Sequence, residues 1–226
     1  MPHIDPEIIE KLKAFDSATV YNAMVEKLGL PNEDYTSRDI RYLLPEFGNV
    51  VGYAVTAEVT TNDPDSPAIE WLDYYEYMEG HPGPLVAVMK DVDSRPGRGA
   101  SFGDGMARFH KLLGVVGAIV DGSVRDLAGI RDVGLPIWGW GTVPGHGVFN
   151  LTRFNAPVTV GQVRIRPDDL IFADGDGCVR IPTEHAEDIL RLAGEVRAFE
   201  ADAFAFYDSP DFTVAKLRER RRKAKQ

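Results

Sequence analysis

The chain is nearly without sulfur chemistry. Its 226 residues include one cysteine, Cys178, and five histidines. A lone thiol excludes a disulfide scaffold and any zinc centre built from several cysteines. The histidines show no His-x-x-x-His spacing, which argues against a histidine-based metal site. No run approaches the roughly 20 apolar residues of a membrane span. The opening Met1-Pro2-His3-Ile4-Asp5-Pro6 lacks the basic-then-apolar pattern of a secretory signal. No Walker loop and no Gly-x-Gly-x-x-Gly are present, so the nucleotide folds they mark are not expected. A soluble, cytoplasmic protein is the expectation.

Positive charge is also scarce, and it is unevenly placed. The chain carries 25 Lys+Arg against 35 Asp+Glu, a net charge of −10. Residues 212–226 hold seven cations (Lys216, Arg218, Arg220, Arg221, Arg222, Lys223 and Lys225) against Glu219, which leaves −16 on the rest. A body this acidic repels phosphate backbones, so no nucleic acid is expected as a partner. It suits a cation site, where clustered carboxylates are useful. The basic tail reads as a solvated helical end.

What is present in quantity is alternating strand and helix patterning. Helices are expected at the N-terminus, over Pro6–Phe15 and after a cap at Asp16 or Ser17, ending at Gly29-Leu30-Pro31. Residues 32–49 read as loop. Val50–Thr60 is rich in β-branched residues and reads as a strand. Ala68–Glu79 has Trp71, Leu72, Tyr75 and Met78 at helical spacing. Leu85–Met89, Val115–Val120 and Leu135–Trp138 read as buried strands. Asp104–Leu113 and Val124–Val133 read as helices between them, and Arg95–Gly103 as a glycine-rich loop. Four short strands follow over 158–181, with a tight turn at Asp174-Gly175-Asp176-Gly177. Thr183 is expected to cap a long C-terminal helix broken near Ser209-Pro210. The pattern is α/β, as one domain over 1–226 with a helical arm at 1–30 and C-terminal helices at 183–226.

Two segments carry chemistry. Gly103-Asp104-Gly105 opens a helix, where free N–H groups and the helix dipole favour an anion. Asp121-Gly122-Ser123-Val124-Arg125-Asp126 follows a buried strand, and ligands collect at the carboxyl ends of strands in open α/β sheets. Arg125 offers a planar donor fork for a carboxylate. Asp104 and Asp126 are hard oxygen ligands suited to Mg²⁺ or Mn²⁺. Together these match a small 2-oxo acid: its carboxylate meets Arg125 and the N–H groups, and Lewis acidity at its keto oxygen favours an enolate. Spacing alone leaves a second reading open, a plain strand–turn–helix junction with Asp126 at the helix start and Arg125 paired on the surface.

Several stretches carry a resemblance. They are Gly114–Asp126, Gly134-Leu-Pro-Ile-Trp138, Gly141-Thr-Val-Pro144, Pro157–Gly161, Pro167–Gly177 and the N-terminal Ser17–Met24. In these the chain resembles the family that joins RraA-like proteins to the class II 4-hydroxy-4-methyl-2-oxoglutarate aldolases. The catalytic branch carries an aspartate, twenty residues and then Arg-Asp, and here Asp104 is followed by twenty residues and Arg125-Asp126. The resemblance implies a swivelling β/β/α, phosphohistidine-domain-like sandwich with mixed sheets. It implies a divalent-metal-dependent lyase, an aldolase or oxaloacetate decarboxylase, passing through a pyruvate enolate. Asp126 would ligate Mg²⁺ or Mn²⁺ directly, and Asp104 would hold metal-bound waters. Arg125 would bind substrate and polarise it, and backbone groups of Gly103, Gly105, Met106 and Ala107 would take the carboxylate. A glutamate from a neighbouring subunit, Glu195 or Glu200, would complete the site in a homotrimer or homohexamer. The alternatives are a non-catalytic RraA-like protein that binds and inhibits a ribonuclease, or a lyase or hydratase acting on another oxo acid. The loops 30–48 and 62–84 and the segment Arg95–Phe102 depart from the family pattern.

Of the remaining residues, His146 in Gly141–Gly147 is expected as a solvated loop histidine, with an acid/base or substrate contact as the alternative. His110 is expected as a structural helix residue, Cys178 as buried and inert, and Trp138 and Trp140 as packing groups.

Overall fold

The elements follow in chain order in the computed structural model, which describes residues 4–223. Met1, Pro2, His3 and the final Lys225 of the basic tail lie outside the described residues. Helices α1 (Pro6–Leu12) and α2 (Ser17–Asn22) come first, the latter running into a π-helical turn at Ala23–Lys27. Strands β1 (Arg41–Tyr42) and β2 (Val50–Thr60), helix α3 (Trp71–Glu79) and strands β3 (Leu85–Asp91) and β4 (Ala100–Phe102) follow. Then come α4 (Asp104–Leu112), β5 (Val115–Asp121), β6 (Ser123–Val124) and α5 (Leu127–Val133). Strands β7 (Ile137–Gly139), β8 (Gly141–Thr142), β9 (Asn150–Phe154), β10 (Val158–Val160), β11 (Val163–Ile165), β12 (Leu170–Ala173) and β13 (Cys178–Ile181) complete the sheets. Helices α6 (Ala186–Tyr207) and α7 (Val214–Lys223) close the chain.

The main sheet is mixed, in the order β1-β7-β5-β3-β2-β12-β13. The central β2, β3, β5 and β7 run parallel, and β1, β9, β12 and β13 pair antiparallel. Strand β2 is long enough to pair with β12 along its first half and β9 along its second. Its odd-numbered Val51, Tyr53, Val55, Ala57 and Val59 face the core that includes residues of α1, α2, α4, α5 and α6. Val50 and Ala54 face the other way, with Val86 and Val88, onto the β10–β11 hairpin. A sheet covered on both faces explains why Val50–Thr60 reads as a continuous apolar run rather than an alternating one. Each fully buried Val or Leu stabilises by about 1.5–3 kcal/mol.

The N-terminal arm is tied to the sheet by polar contacts. Asp16 caps α2 by accepting from Thr19 N at 2.7 Å. Ser17 donates to the Asp174 carboxylate through both its backbone N (2.7 Å) and its hydroxyl (2.8 Å). Arg197 of α6 pairs with Asp16. The fold is the expected α/β class, with a mixed sheet and helices at both ends, and no described helix is long and apolar enough to cross a membrane.

Several local expectations change. Val124 does not open a helix: Ser123–Val124 is a strand, and α5 begins at Leu127. Part of the glycine-rich loop, Ala100–Phe102, is also a strand, because it pairs with β6. Strand β9 has no sequence forecast. Residues 32–49 contain β1 and a 3₁₀ turn at Pro45–Phe47. On α3 the buried residues are Tyr74 and Met78, while Leu72 is exposed. Thr183 makes no capping bond; it lies in a 3₁₀ turn before α6. The second half of α6 and all of α7 contain no buried residue, so the basic end is indeed solvated over its described residues.

Candidate active site

The site is built by a second, three-stranded parallel sheet, β4-β6-β8. Ala100 pairs with Ser123 and Phe102 with Val124. Arg125 N then donates to Phe102 O at 2.9 Å. This pairing sets Gly103 and Asp104 beside Arg125 and Asp126, residues about twenty apart in sequence. A Cβ on Gly103 would stand 3.3 Å from Arg125 Nε and 3.5 Å from Asp126 Oδ2, so the two side chains close over this glycine. Arg125 Nε and Asp126 Oδ2 are 3.2 Å apart. Asp126 occupies the left-handed region (φ 56°, ψ 41°), which Asp tolerates better than most residues. Its turn lets the chain leave β6 and enter α5 while its carboxylate stays in solvent.

Helix α4 presents its N-terminus to the same place. Gly103 is the N-cap and offers no side-chain cap. Ala107 N donates to Gly103 O at 3.0 Å. The N–H groups of Asp104, Gly105 and Met106 therefore precede the first intrahelical bond and stay open, while Ala107, fully buried, has its N–H in use. Ala100, Phe102, Met106, Arg125, His146 and Phe149 wall a cleft of about 210 Å³ around Gly103–Gly105.

Asp104 lies against α5. Its Oδ2 and Cβ are each 2.7 Å from where a Cβ on Gly129 would be. Gly129→Ala ought to help an exposed helix by about 1 kcal/mol on propensity. Here it would push Asp104 away from the cleft. The expected result is a thermal midpoint shifted by only a few degrees, with Asp104-dependent activity lost; full activity in Gly129→Ala would refute this placement.

Asp121, at the head of the motif, is not in the cleft. It is buried, pairs with Lys90 Nζ at 2.6 Å and accepts from Trp140 Nε1 at 2.8 Å. It anchors the end of β5. Residues Gly99-Ala-Ser-Phe-Gly103 spell the Gly-x-Ser-x-Gly of a hydrolase nucleophile turn. Ser101 is fully buried within β4 and its hydroxyl has no partner, so it is not presented as a nucleophile. Glu195 is exposed on α6 and pairs with Arg191 at 2.6 Å. Neither it nor Glu200 lines this chain's cleft. Among the described residues no three His, Cys, Asp or Glu side chains cluster to hold an ion.

Two histidines come out differently. His110 sits on α4 as a structural residue, as expected, and is fully buried, with Nδ1 2.8 Å from Met106 O and Nε2 3.2 Å from Tyr74 Oη. His146, expected as a solvated loop residue, is half-buried in its loop: it lines the cleft, and its Nδ1 is buried without a partner. Nothing local in the sequence marks it, because its position depends on a loop held by distant residues. Cys178 is buried, and burial pushes its thiol well above the usual range, in keeping with an inert role.

A family profile described as RraA-like (Aldolase/RraA) matches residues 17–180. The chain belongs to the RraA-like family. A relative from Halalkalibacterium halodurans, named "Putative 4-hydroxy-4-methyl-2-oxoglutarate aldolase", is 33% identical over 156 residues, 69% of this chain and 70% of that one. Among solved structures, Streptomyces coelicolor RraAS2, described as an unusual member of the RNase ES inhibitor RraA protein family, is 28% identical with a TM-score of 0.73. It covers 90% of this chain and 98% of its own. An uncharacterized Pseudomonas syringae protein shares the fold (TM-score 0.74, 22% identity, 96% of this chain and 100% of that one). The matched RraA-like region contains the whole cleft just described.

Proposed function

We propose that this RraA-like protein is a divalent-metal-dependent carbon–carbon lyase. It would release pyruvate from a 2-oxo acid, as an aldolase of the 4-hydroxy-4-methyl-2-oxoglutarate type, an oxaloacetate decarboxylase or both. The observation that carries this reading is the convergence of Arg125, Asp126 and Asp104 on the open N–H groups of α4.

The donors present fit Mg²⁺ or Mn²⁺. Both carboxylates are hard oxygen ligands, Asp126 is 48% exposed, and a hydrated cation needs only one or two protein carboxylates. Asp126 would hold the ion directly and Asp104 through water, with Glu195 or Glu200 of a neighbouring copy completing the set in a cytoplasmic trimer or hexamer. When bound, the ion supplies Lewis acidity that lowers the energy of the enolate oxygen.

The protein's own groups do the rest. The N–H groups of Asp104, Gly105 and Met106 receive the substrate carboxylate. Arg125 donates to the oxo acid from the opposite side, and the ion pair with Asp126 keeps its guanidinium aimed at the cleft. Phe102 and Met106 exclude water from the reacting carbons, which strengthens those hydrogen bonds.

The test is pyruvate release from a panel of 2-oxo acids. Activity should vanish in EDTA and return with Mg²⁺ or Mn²⁺. Full activity in EDTA, or no pyruvate from any acid, would refute the reading. The likeness to RraAS2 supports one alternative, a non-catalytic protein that binds and inhibits a ribonuclease. Nuclease capture together with absent Mg²⁺ binding in calorimetry would favour it.

A further inference from the structure

Helix α3 has a packed face and a bare one. On the packed face Tyr74 and Met78 are buried, Trp71 stacks on Phe149 at 4.9 Å and Tyr75 stacks on Phe109 at 5.1 Å. The other face carries Asp73, Glu76 and Glu79 around Leu72, which is 66% exposed. Among the described residues none of these three carboxylates has an ion-pair partner. The surrounding segment 62–84 holds six carboxylates and no lysine or arginine, a charge of −6.

Helix α7 carries the complement. Val214, Leu217, Arg218, Arg221 and Arg222 share one face at helical spacing and line a groove of about 320 Å³. Val214 is 67% exposed, and the three guanidinium groups are exposed and without a carboxylate partner among the described residues. The opposite face is occupied. Lys216 pairs with Asp211, Lys223 with Glu219 and Arg220 with Asp202, and the Arg220 guanidinium lies over Phe206 at 5.1 Å. With Phe212 against Phe206 at 5.5 Å, these contacts fold α7 back on α6 and leave the arginine face in solvent.

The two bare faces match in length, charge and apolar centre. Residues 72–79 and 214–221 each span two helical turns, about 10 Å. The −6 of segment 62–84 meets the +6 of residues 212–226. Within one chain neither face covers the other, since both are exposed. Neither belongs to the common family pattern: α7 lies beyond the matched residues 17–180, and α3 lies in the stretch that departs from it.

We infer that the arginine face of α7 docks on the acidic face of α3 in a second copy of this chain. Leu72 then packs on Val214 and Leu217, and Asp73, Glu76 and Glu79 meet Arg218, Arg221 and Arg222. The contact joins two different surfaces, so it can repeat from copy to copy and close a ring. It holds whether or not the protein is a lyase. Because Trp71 backs Phe149, and Phe149 lines the cleft, a docked tail braces the cleft wall of its neighbour.

Sedimentation velocity on the full chain reads the contact. Asp73→Lys, Glu76→Lys and Glu79→Lys together reverse one face, and Arg218→Glu, Arg221→Glu and Arg222→Glu together reverse the other. All six positions are exposed, so the thermal midpoint should hold. Each reversal should weaken association by about 10- to 100-fold. Raising NaCl to about 0.5 M should weaken the wild type in the same direction. The chain carrying both reversals should associate like the wild type, and its failure to recover overturns the inference. Cross-linking decides the case in which another interface also joins the copies and association does not change. An oxidised equimolar mixture of Glu76→Cys and Arg221→Cys chains should form an inter-chain disulfide, with the buried Cys178 taking no part. A mixture of Leu112→Cys, 83% exposed on α4, with Arg221→Cys should not. Equal yields in the two mixtures, or no disulfide in the first, overturn the inference. So does a disulfide that forms only when Glu76→Cys and Arg221→Cys share one chain, which would place the tail on its own α3.

Discussion

Alanine at Arg125 is expected to lower pyruvate release by about 10²–10⁴-fold without unfolding the protein, and loss of the Asp126 carboxylate to do the same. The size follows from where charge develops. In the proposed reaction enolate formation would put negative charge on the oxo acid's oxygen, and among the described residues Arg125 is the guanidinium that lines the cleft. Asp126 aims that guanidinium across 3.2 Å and offers the most exposed of the site's oxygens. Stability should barely change, because this ion pair is largely solvated and such pairs contribute only about 0–1 kcal/mol. Asp126→Ala has a separate backbone cost, since φ is +56° there. Asp126→Asn avoids it, because Asn also adopts the left-handed region. The comparison is therefore kcat and thermal midpoint for Arg125→Ala and Asp126→Asn. Near-native turnover in either, with the fold intact, would remove that residue from the site.

The second large effect is on stability against pH, and it comes from His110. The ring is enclosed by Tyr74, Phe102 and Tyr75. Burial pushes its pKa down to about 4, against a smaller opposite contribution from the Met106 carbonyl. Nδ1–H donates to that carbonyl, so Tyr74 Oη donates to Nε2 and leaves no place for a second ring proton. The folded pKa lies below the unfolded value. As pH falls from 6.5 toward 4, the unfolded chain therefore takes up a proton the folded chain refuses, and stability is lost across that window. The loss amounts to about 3 kcal/mol. Asp93 acts lower. Burial works against its ionisation but is outweighed by backbone N–H groups of Arg95 and Asn62 and the Thr60 hydroxyl, which together hold it to about 2. Its contribution is present above the ordinary Asp range and is lost only below it. Urea unfolding of the wild type and His110→Asn at pH 7, 5.5 and 4 separates the two. An equal decline in both proteins between pH 7 and 4 would exclude His110 as the cause.

The parts of the site legible in the sequence were those written in adjacent residues. Gly103-Asp104-Gly105 at a helix start and Arg125-Asp126 after a buried strand are local signals, and the structure places them together. Their pairing was not legible. It depends on Ala100–Phe102 forming a strand, and three residues inside a glycine-rich segment carry no strand signal of their own. That strand exists because β6 is available beside it. The same limit hid β9 and misplaced the start of α5, where hydrogen bonding to a neighbour outweighs propensity.

The sequence by itself determined the α/β alternation, the acidic body with its basic end, the buried Cys178, the place of His110 on a helix, and the Asp–Arg-Asp spacing, because each follows from local periodicity or composition. Tertiary structure alone decided that Asp121 anchors rather than reacts, that Ser101 is enclosed, that the Ala107 N–H is already used, and that His146 faces the cleft. Each of those depends on what a distant segment places beside it. For His146 that segment is Thr61, whose carbonyl holds a loop more than eighty residues further along the chain.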